Sequence, residues 1–208
     1  YYRIYDGESS EIYLDAFEAE IPKLAFYRDV ELKTARIDTI TNIYSYYAYN
    51  LGSEEIPLHK KITVRIKPKK DYLNDSTLYI ALVNKKGEFI FLGNKISGDF
   101  LEAKTNTLGI YLIAKDSVNP IIKPINFKDN SSIAENWSLR VEIEDKETGI
   151  NKYSMYVNDE WVLADYDAKN KLLVYQIDSH IKKGHNDLKV IVTDMVGNEA
   201  IYETSLQR

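Results

Sequence analysis

The sequence has 208 residues, a formal charge of −5, and hydrophobic and charged fractions of 44% and 28%, an ordinary globular balance. A chain of this length buries one substantial core or two modest ones. It carries no run of Lys or Arg that could track a phosphate backbone, no apolar run long enough to span a bilayer and no cysteine. These absences argue against a nucleic-acid partner, a transmembrane segment, disulfide stapling and thiol chemistry. Tyrosine is over-used, with 17 against 6 phenylalanines and 2 tryptophans, which suits pleated sheet faces with one wet edge or an aromatic binding surface.

In chain order, Tyr1 to Ser10 is a polar lead. Ile12 to Phe17 predicts a first strand, with a short helix over Asp15 to Glu20 as the alternative, since Leu14, Phe17 and Ile21 recur at helical spacing before Pro22. Val30 and Leu32 alternate again within Asp29 to Lys33. Ile43 to Asn50 carries Tyr44, Tyr46, Tyr47 and Tyr49, and its apolar groups on both faces predict a strand covered on both sides or set at a domain surface. In Lys61 to Lys67, Ile62, Val64 and Ile66 share one face while Thr63 and Arg65 share the other, the pattern of a sheet with one wet side. Thr77 to Val83 and Glu88 to Leu92 flank the hairpin turn Asn84-Lys85-Lys86-Gly87. Ile96 to Phe100 adds a short strand. Thr107 to Ala114 closes the set, with Gly109 marking a bulge or a tight contact.

Lys115-Asp116-Ser117-Val118-Asn119-Pro120 is a polar joint, because Pro120 biases Asn119 away from the helical region. The pattern therefore predicts an all-β chain of two tandem β-sandwich domains, residues 8–118 and 119–208. Beyond the joint come Ile121 to Phe127 and then Trp137 to Glu144, whose alternation places Trp137, Leu139, Val141 and Ile143 inward. Ile150 to Val157, Trp161 to Tyr166, Leu172 to Ile177, His185 to Val192 and Glu199 to Leu206 follow at short spacing. Such a series predicts an immunoglobulin-like second sandwich.

Reactive groups are sparse. The 3 histidines, His59, His180 and His185, lack the spacing that converges on a catalytic metal. No Gly-x-Ser-x-Gly and no glycine-rich phosphate loop occurs, so no catalytic residue and no cofactor is assigned. Tyr44, Tyr46, Tyr47, Tyr49 and Trp161 are the candidates for stacking on a ligand. Asp116, Asp145, Glu147, Asp194 and Asn198 are weak calcium candidates, since loop oxygens suit that ion; the competing reading is that they cap their own turns.

Some of these residues also carry a family resemblance. They are Ile21-Pro22 with Ala25-Phe26-Tyr27, Pro57-Leu58-His59-Lys60 ahead of the Ile62 to Pro68 strand, Gly109-Ile110-Tyr111, Asp116, Pro120, Gly149-Ile150, Trp161-Val162-Leu163, Gly184-His185 and Val192 to Asn198. Together they resemble the C-terminal, non-catalytic region of exported lysostaphin-type zinc peptidase proteins of Bacteroidetes. The first half, through its proline, Ala-Phe anchor and Pro57 to Pro68 segment, is also similar to a ZU5-like sandwich. The peptidase motifs of that family, a His, three residues, Asp pair and a His-x-His pair, are absent. The resemblance thus implies an accessory module that is not itself an enzyme, with a peptidase domain in the same parent chain. It further implies export to the periplasm or cell surface, with outer-membrane association, and peptidoglycan or a surface glycan as partner. A chain opening on Tyr1-Tyr2-Arg3 is expected to be a piece of such a parent.

Overall fold

A computed structural model describes residues 1–135 and 137–208. The chain divides into two compact units, Tyr1–Asp116 and Ser117–Arg208, each with its own core. Both are all-β sandwiches, the second immunoglobulin-like. The strands of the first unit are β1 (Tyr2–Ile4), β2 (Ser10–Leu14), β3 (Phe17–Ile21), β4 (Val30–Leu32), β5 (Thr34–Ile37), β6 (Ala48–Leu51), β7 (Ile62–Ile66), β8 (Leu78–Val83), β9 (Phe89–Gly93), β10 (Lys95–Ser97), β11 (Phe100–Thr105) and β12 (Gly109–Lys115). Those of the second are β13 (Ile121–Pro124), β14 (Ser131–Ser132), β15 (Ser138–Glu144), β16 (Ile150–Val157), β17 (Glu160–Val162), β18 (Asp165–Asp167), β19 (Leu172–Gln176), β20 (His185–Asp194) and β21 (Glu199–Gln207).

The first unit packs a five-stranded sheet, β10-β11-β7-β3-β2, on another, β5-β6-β12-β8-β9, with β1 and β4 forming a separate antiparallel pair. The inward faces follow the period of two: Ile62, Val64 and Ile66 from β7 and Phe17, Ala19 and Ile21 from β3 meet Leu51, Ile80, Tyr111 and Ile113 from the opposite sheet. Residues 15–20 are not helical. Asp15 takes a left-handed φ of 52° and turns β2 back into β3, so the helical spacing of Leu14, Phe17 and Ile21 is a coincidence of two strands. At Gly109 the expected tight contact is present, because a Cβ there would stand 3.1 Å from the Leu82 Cδ1 at a φ of +153°.

The second unit stacks β13-β15-β19-β18 on β14-β21-β20-β16-β17. Leu139, Val141 and Ile143 point inward against Val190, Val192 and Met155. Trp137 does not join them: it stands 89% exposed, just ahead of β15. Its parity matches Leu139, but parity chooses a face and burial needs material across from it. Residues 161–166 form two strands, not one. β17 pairs with β16 in one sheet, and β18 pairs with β19 in the other. No helix among the described residues is long and apolar enough to cross a membrane.

Candidate functional site

The tyrosine cluster of the first unit separates on folding. Tyr49 is fully buried and stacks on Phe17 with ring centroids 5.2 Å apart, so it is a core residue and not a surface ligand group. Burial pushes its phenol up to about 12. Tyr44 is half-buried, edge-on to Tyr72 at 4.9 Å, and Tyr47 is half-buried, edge-on to Tyr49 at 6.3 Å with the Arg36 guanidinium over its ring. Only Tyr46 of the four is exposed. Rings crossed at 89° and 84° do not make one flat platform. The first unit also has a groove of about 400 Å³, chiefly apolar, between residues 26–31 and 55–57.

Each histidine has a local partner. His59 stands edge-on to Tyr27 at 5.1 Å. In the second unit, the Nδ1 of His180 is 2.7 Å from the Asp178 Oδ1, and the Nε2 of His185 is 3.0 Å from the Asp187 Oδ1.

The acidic turns of the second unit lie side by side, with carboxylate oxygens of Asp145 and Asp194 within 4.8 Å of one another. Each acts as a turn cap. The Asp145 Oδ1 accepts the amides of Glu147, Thr148 and Gly149 at 3.2, 2.8 and 2.8 Å. The Asp194 Oδ1 accepts those of Val196, Gly197 and Asn198 at 3.0, 2.7 and 2.8 Å, and the Asn198 Nδ2 donates to its Oδ2 at 2.7 Å. Asp116 belongs to the first unit, where it is buried and its amide donates to the Thr77 carbonyl at 3.0 Å.

Trp161 has a different setting. On β17 it is 58% exposed and directly opposite Tyr156 of β16. Tyr156 in turn faces Lys189 of β20, and Lys189 faces Glu203 of β21. Partners in register on antiparallel strands project to the same side, so Trp161, Tyr156, Lys189 and Glu203 form one row across the outer face of the sheet. Four strands at their usual spacing make this row about 14 Å long. The next row includes Ile191 and the exposed Ile201, and the exposed Leu163 follows the end of β17.

Beside the row lies a groove of about 480 Å³ lined by Tyr156, Asp159, Asp187, Lys189, Glu203 and Asp129, among others. Three of its acids, Glu203, Asp129 and Asp187, are held in place. The Glu203 Oε1 lies 2.7 Å from the Lys189 Nζ, the Asp129 Oδ1 accepts the Thr204 hydroxyl at 2.7 Å, and the Asp187 Oδ1 accepts the Ser205 hydroxyl at 3.3 Å. The Thr204 hydroxyl and the Ser205 amide hold the Asp129 carboxyl below the usual range, so it remains an acceptor at neutral pH. Sequence reasoning singled out Trp161 but missed Tyr156 and the groove. The signal was present in the clean alternation of β20 and of the end of β16, but it becomes a site only once register sets the strands side by side.

Comparison with known proteins gives a family and several solved structures. The family described as a Zu5-like domain matches residues 4–116, ending where the first unit ends. No curated protein matches. The chain is similar to the endo-β-1,4-mannanase of Thermotoga petrophila at 16% identity and a TM-score of 0.38, over 44% of this chain and 20% of that one, and thus spans about a fifth of the mannanase. It is also similar to the fibronectin(III)-like modules of Clostridium thermocellum CbhA at 12% identity and a TM-score of 0.35, over 84% of this chain and 93% of that one.

Proposed function

From the premise that this chain belongs to the Zu5-like domain family through residues 4–116, we propose that it is an accessory module of an exported cell-envelope protein, at the periplasm or cell surface. It does no chemistry itself and positions a peptidoglycan endopeptidase domain carried in the same parent chain. The observation that carries this reading is the succession of two separately cored sandwiches, the first ending at Asp116 and the second starting at Ser117. Two self-sufficient bodies suit a spacer or docking element, whose task is to hold a neighbour near its substrate. The partner placements of His180 and His185, each on its own aspartate, support the same reading, since a catalytic zinc needs several ligands on one point with one position open. The peptidase association rests on the sequence resemblance.

A second reading, binding of a wall or surface glycan by the chain itself, is favoured by one feature, the exposed Trp161 in register with Tyr156.

The test of the first reading is the complete coding sequence. A zinc endopeptidase domain in the same open reading frame supports it. A frame holding only sandwich domains, or a domain of unrelated activity, contradicts it.

A further inference from the structure

We infer that the outer face of the five-stranded sheet in the second unit is a binding site for a neutral, β-linked pyranose chain, with Trp161 and Tyr156 as the stacking platform and the adjoining carboxylates as hydroxyl acceptors. The inference rests on the second reading, in which the chain itself binds a glycan, and deepens it by naming the surface and the ligand class.

The platform comes first. Trp161 and Tyr156 are cross-strand partners on the solvent side, flanked by the exposed Leu163. An exposed indole next to a half-exposed phenol is costly to leave in water, and such rings are suited to ligands that are apolar on one face and polar at the rim. A pyranose in a β-linked chain has that character: its axial C–H bonds form an apolar face and its equatorial hydroxyls point outward. The chain is also a flat ribbon, matching a straight row about 14 Å long.

The groove supplies the rim. Ionised carboxylates accept hydrogen bonds and donate none, and hydroxyls are the complementary donors. Glu203 and Asp187 are each fixed by a neighbour on one oxygen, Glu203 by Lys189 and Asp187 by His185 and Ser205. Acceptors held this way need no reordering when a ligand arrives. The Lys189 ammonium, at the middle of the row, is the donor for ring or glycosidic oxygens. A groove of about 480 Å³ falls within the range of small-ligand sites.

Charge decides between ligand classes. Asp129, Asp159, Asp187 and Glu203 outnumber Lys189 along the groove, so phosphorylated, sulfated and uronic-acid polymers are repelled. A basic peptide is the competing cargo. Glu203 already holds a cation, however, and two rings side by side in one plane of strands fit an extended ribbon better than separate cationic side chains.

The experiment uses the full chain and soluble cellohexaose, mannohexaose and chitohexaose, measured by titration calorimetry in 0.1 and 0.5 M NaCl. The inference expects at least one of them to bind, with an affinity nearly independent of salt, since hydrogen bonding and stacking are little screened. Trp161→Ala is expected to weaken binding by about ten-fold or more, as for an aromatic anchor. Asp187→Asn is expected to weaken it by several-fold. Trp137→Ala, which removes the other exposed indole of the same unit, leaves it unchanged.

Trp137→Phe makes Trp161 the single tryptophan, and its emission shifts to the blue when ligand covers the ring. No binding of any of the three sugars overturns the inference. So does equal binding by the Trp161→Ala protein, or binding of hexalysine alone that is released at 0.5 M NaCl. These failures leave the accessory reading standing, since that reading is decided by the coding sequence. A coding sequence without a peptidase leaves the sugar face standing.

Discussion

The amide of Ile177 donates to the carbonyl of Trp137 at 3.0 Å, extending the β15–β19 ladder one pair beyond Ser138 and Gln176, while the Trp137 indole stands in solvent. The backbone of Trp137 is therefore structural and its side chain is not. Trp137→Ala is expected to change stability by less than about 0.5 kcal/mol. Leu139→Ala, two residues along on the same face and fully buried, is expected to cost about 2–5 kcal/mol. Urea denaturation of the two variants checks the contrast, and a large loss at Trp137 would show that its ring is covered in solution.

Tyr49 sets its ring against Phe17 but leaves its hydroxyl buried without a well-aligned hydrogen bond, beside the backbone of Ala16. Tyr49→Phe removes a desolvated polar atom and keeps the stack, so it is expected to be neutral or to stabilise by about 1 kcal/mol. Tyr49→Ala loses the ring and is expected to cost about 3–5 kcal/mol. If Tyr49→Phe were strongly destabilising in the same urea experiment, the hydroxyl would have a partner in solution.

On the outer face of the β11-β7-β3 sheet, Arg65 is opposite Glu102 on one side and Glu18 on the other. Its Nε donates to the buried Glu102 carboxylate at 2.8 Å, and Lys95 reaches the other oxygen at 2.7 Å. Arg65→Ala leaves the buried Glu102 carboxylate with Lys95 but without its in-register guanidinium and is expected to cost about 1–3 kcal/mol, below the loss for a fully buried pair. The Arg65→Ala, Glu102→Ala double variant is expected to lose less than the sum of the two single changes. An additive cycle would show that the pair is uncoupled.

How much of this was legible beforehand follows from where the apolar residues fall. β7 and β15 were readable because their inward residues alternate without interruption. β11 was not. Its inward face carries only Leu101, Ala103 and Thr105, too small an alternation to stand out, and Glu102 on the outer face is buried by Arg65 and Lys95, which the strand pairing sets beside it. The segment 161–166 looked continuous because nothing in Trp161-Val162-Leu163-Ala164 announces that the chain changes sheets. The tyrosines from 44 to 49 could not be sorted into core and surface, since composition does not tell which ring meets Phe17. Tyr156 was passed over because its role depends on the register with Trp161 and Lys189.

The Tyr175 hydroxyl, the His180 amide and the His180 ring together hold the Asp178 carboxyl down to about 2. A folded-state value below the ordinary one of 3.8 means that the unfolded chain binds more protons through that window. The stabilisation is therefore complete above about pH 4 and is lost as pH falls toward 2. Asp178→Asn is expected to show a melting temperature that declines less steeply between pH 4 and pH 2 than that of the parent. Parallel curves would show that Asp178 is not held by these donors. Because the side chain is half exposed, the effect is modest.

The central claim is that this chain holds and positions but does not cut. The most direct measurement incubates the purified protein, with zinc added, with intact peptidoglycan and follows soluble fragments by chromatography. The account predicts no release above buffer over many hours. Release of muropeptides that is abolished by a chelator would contradict it.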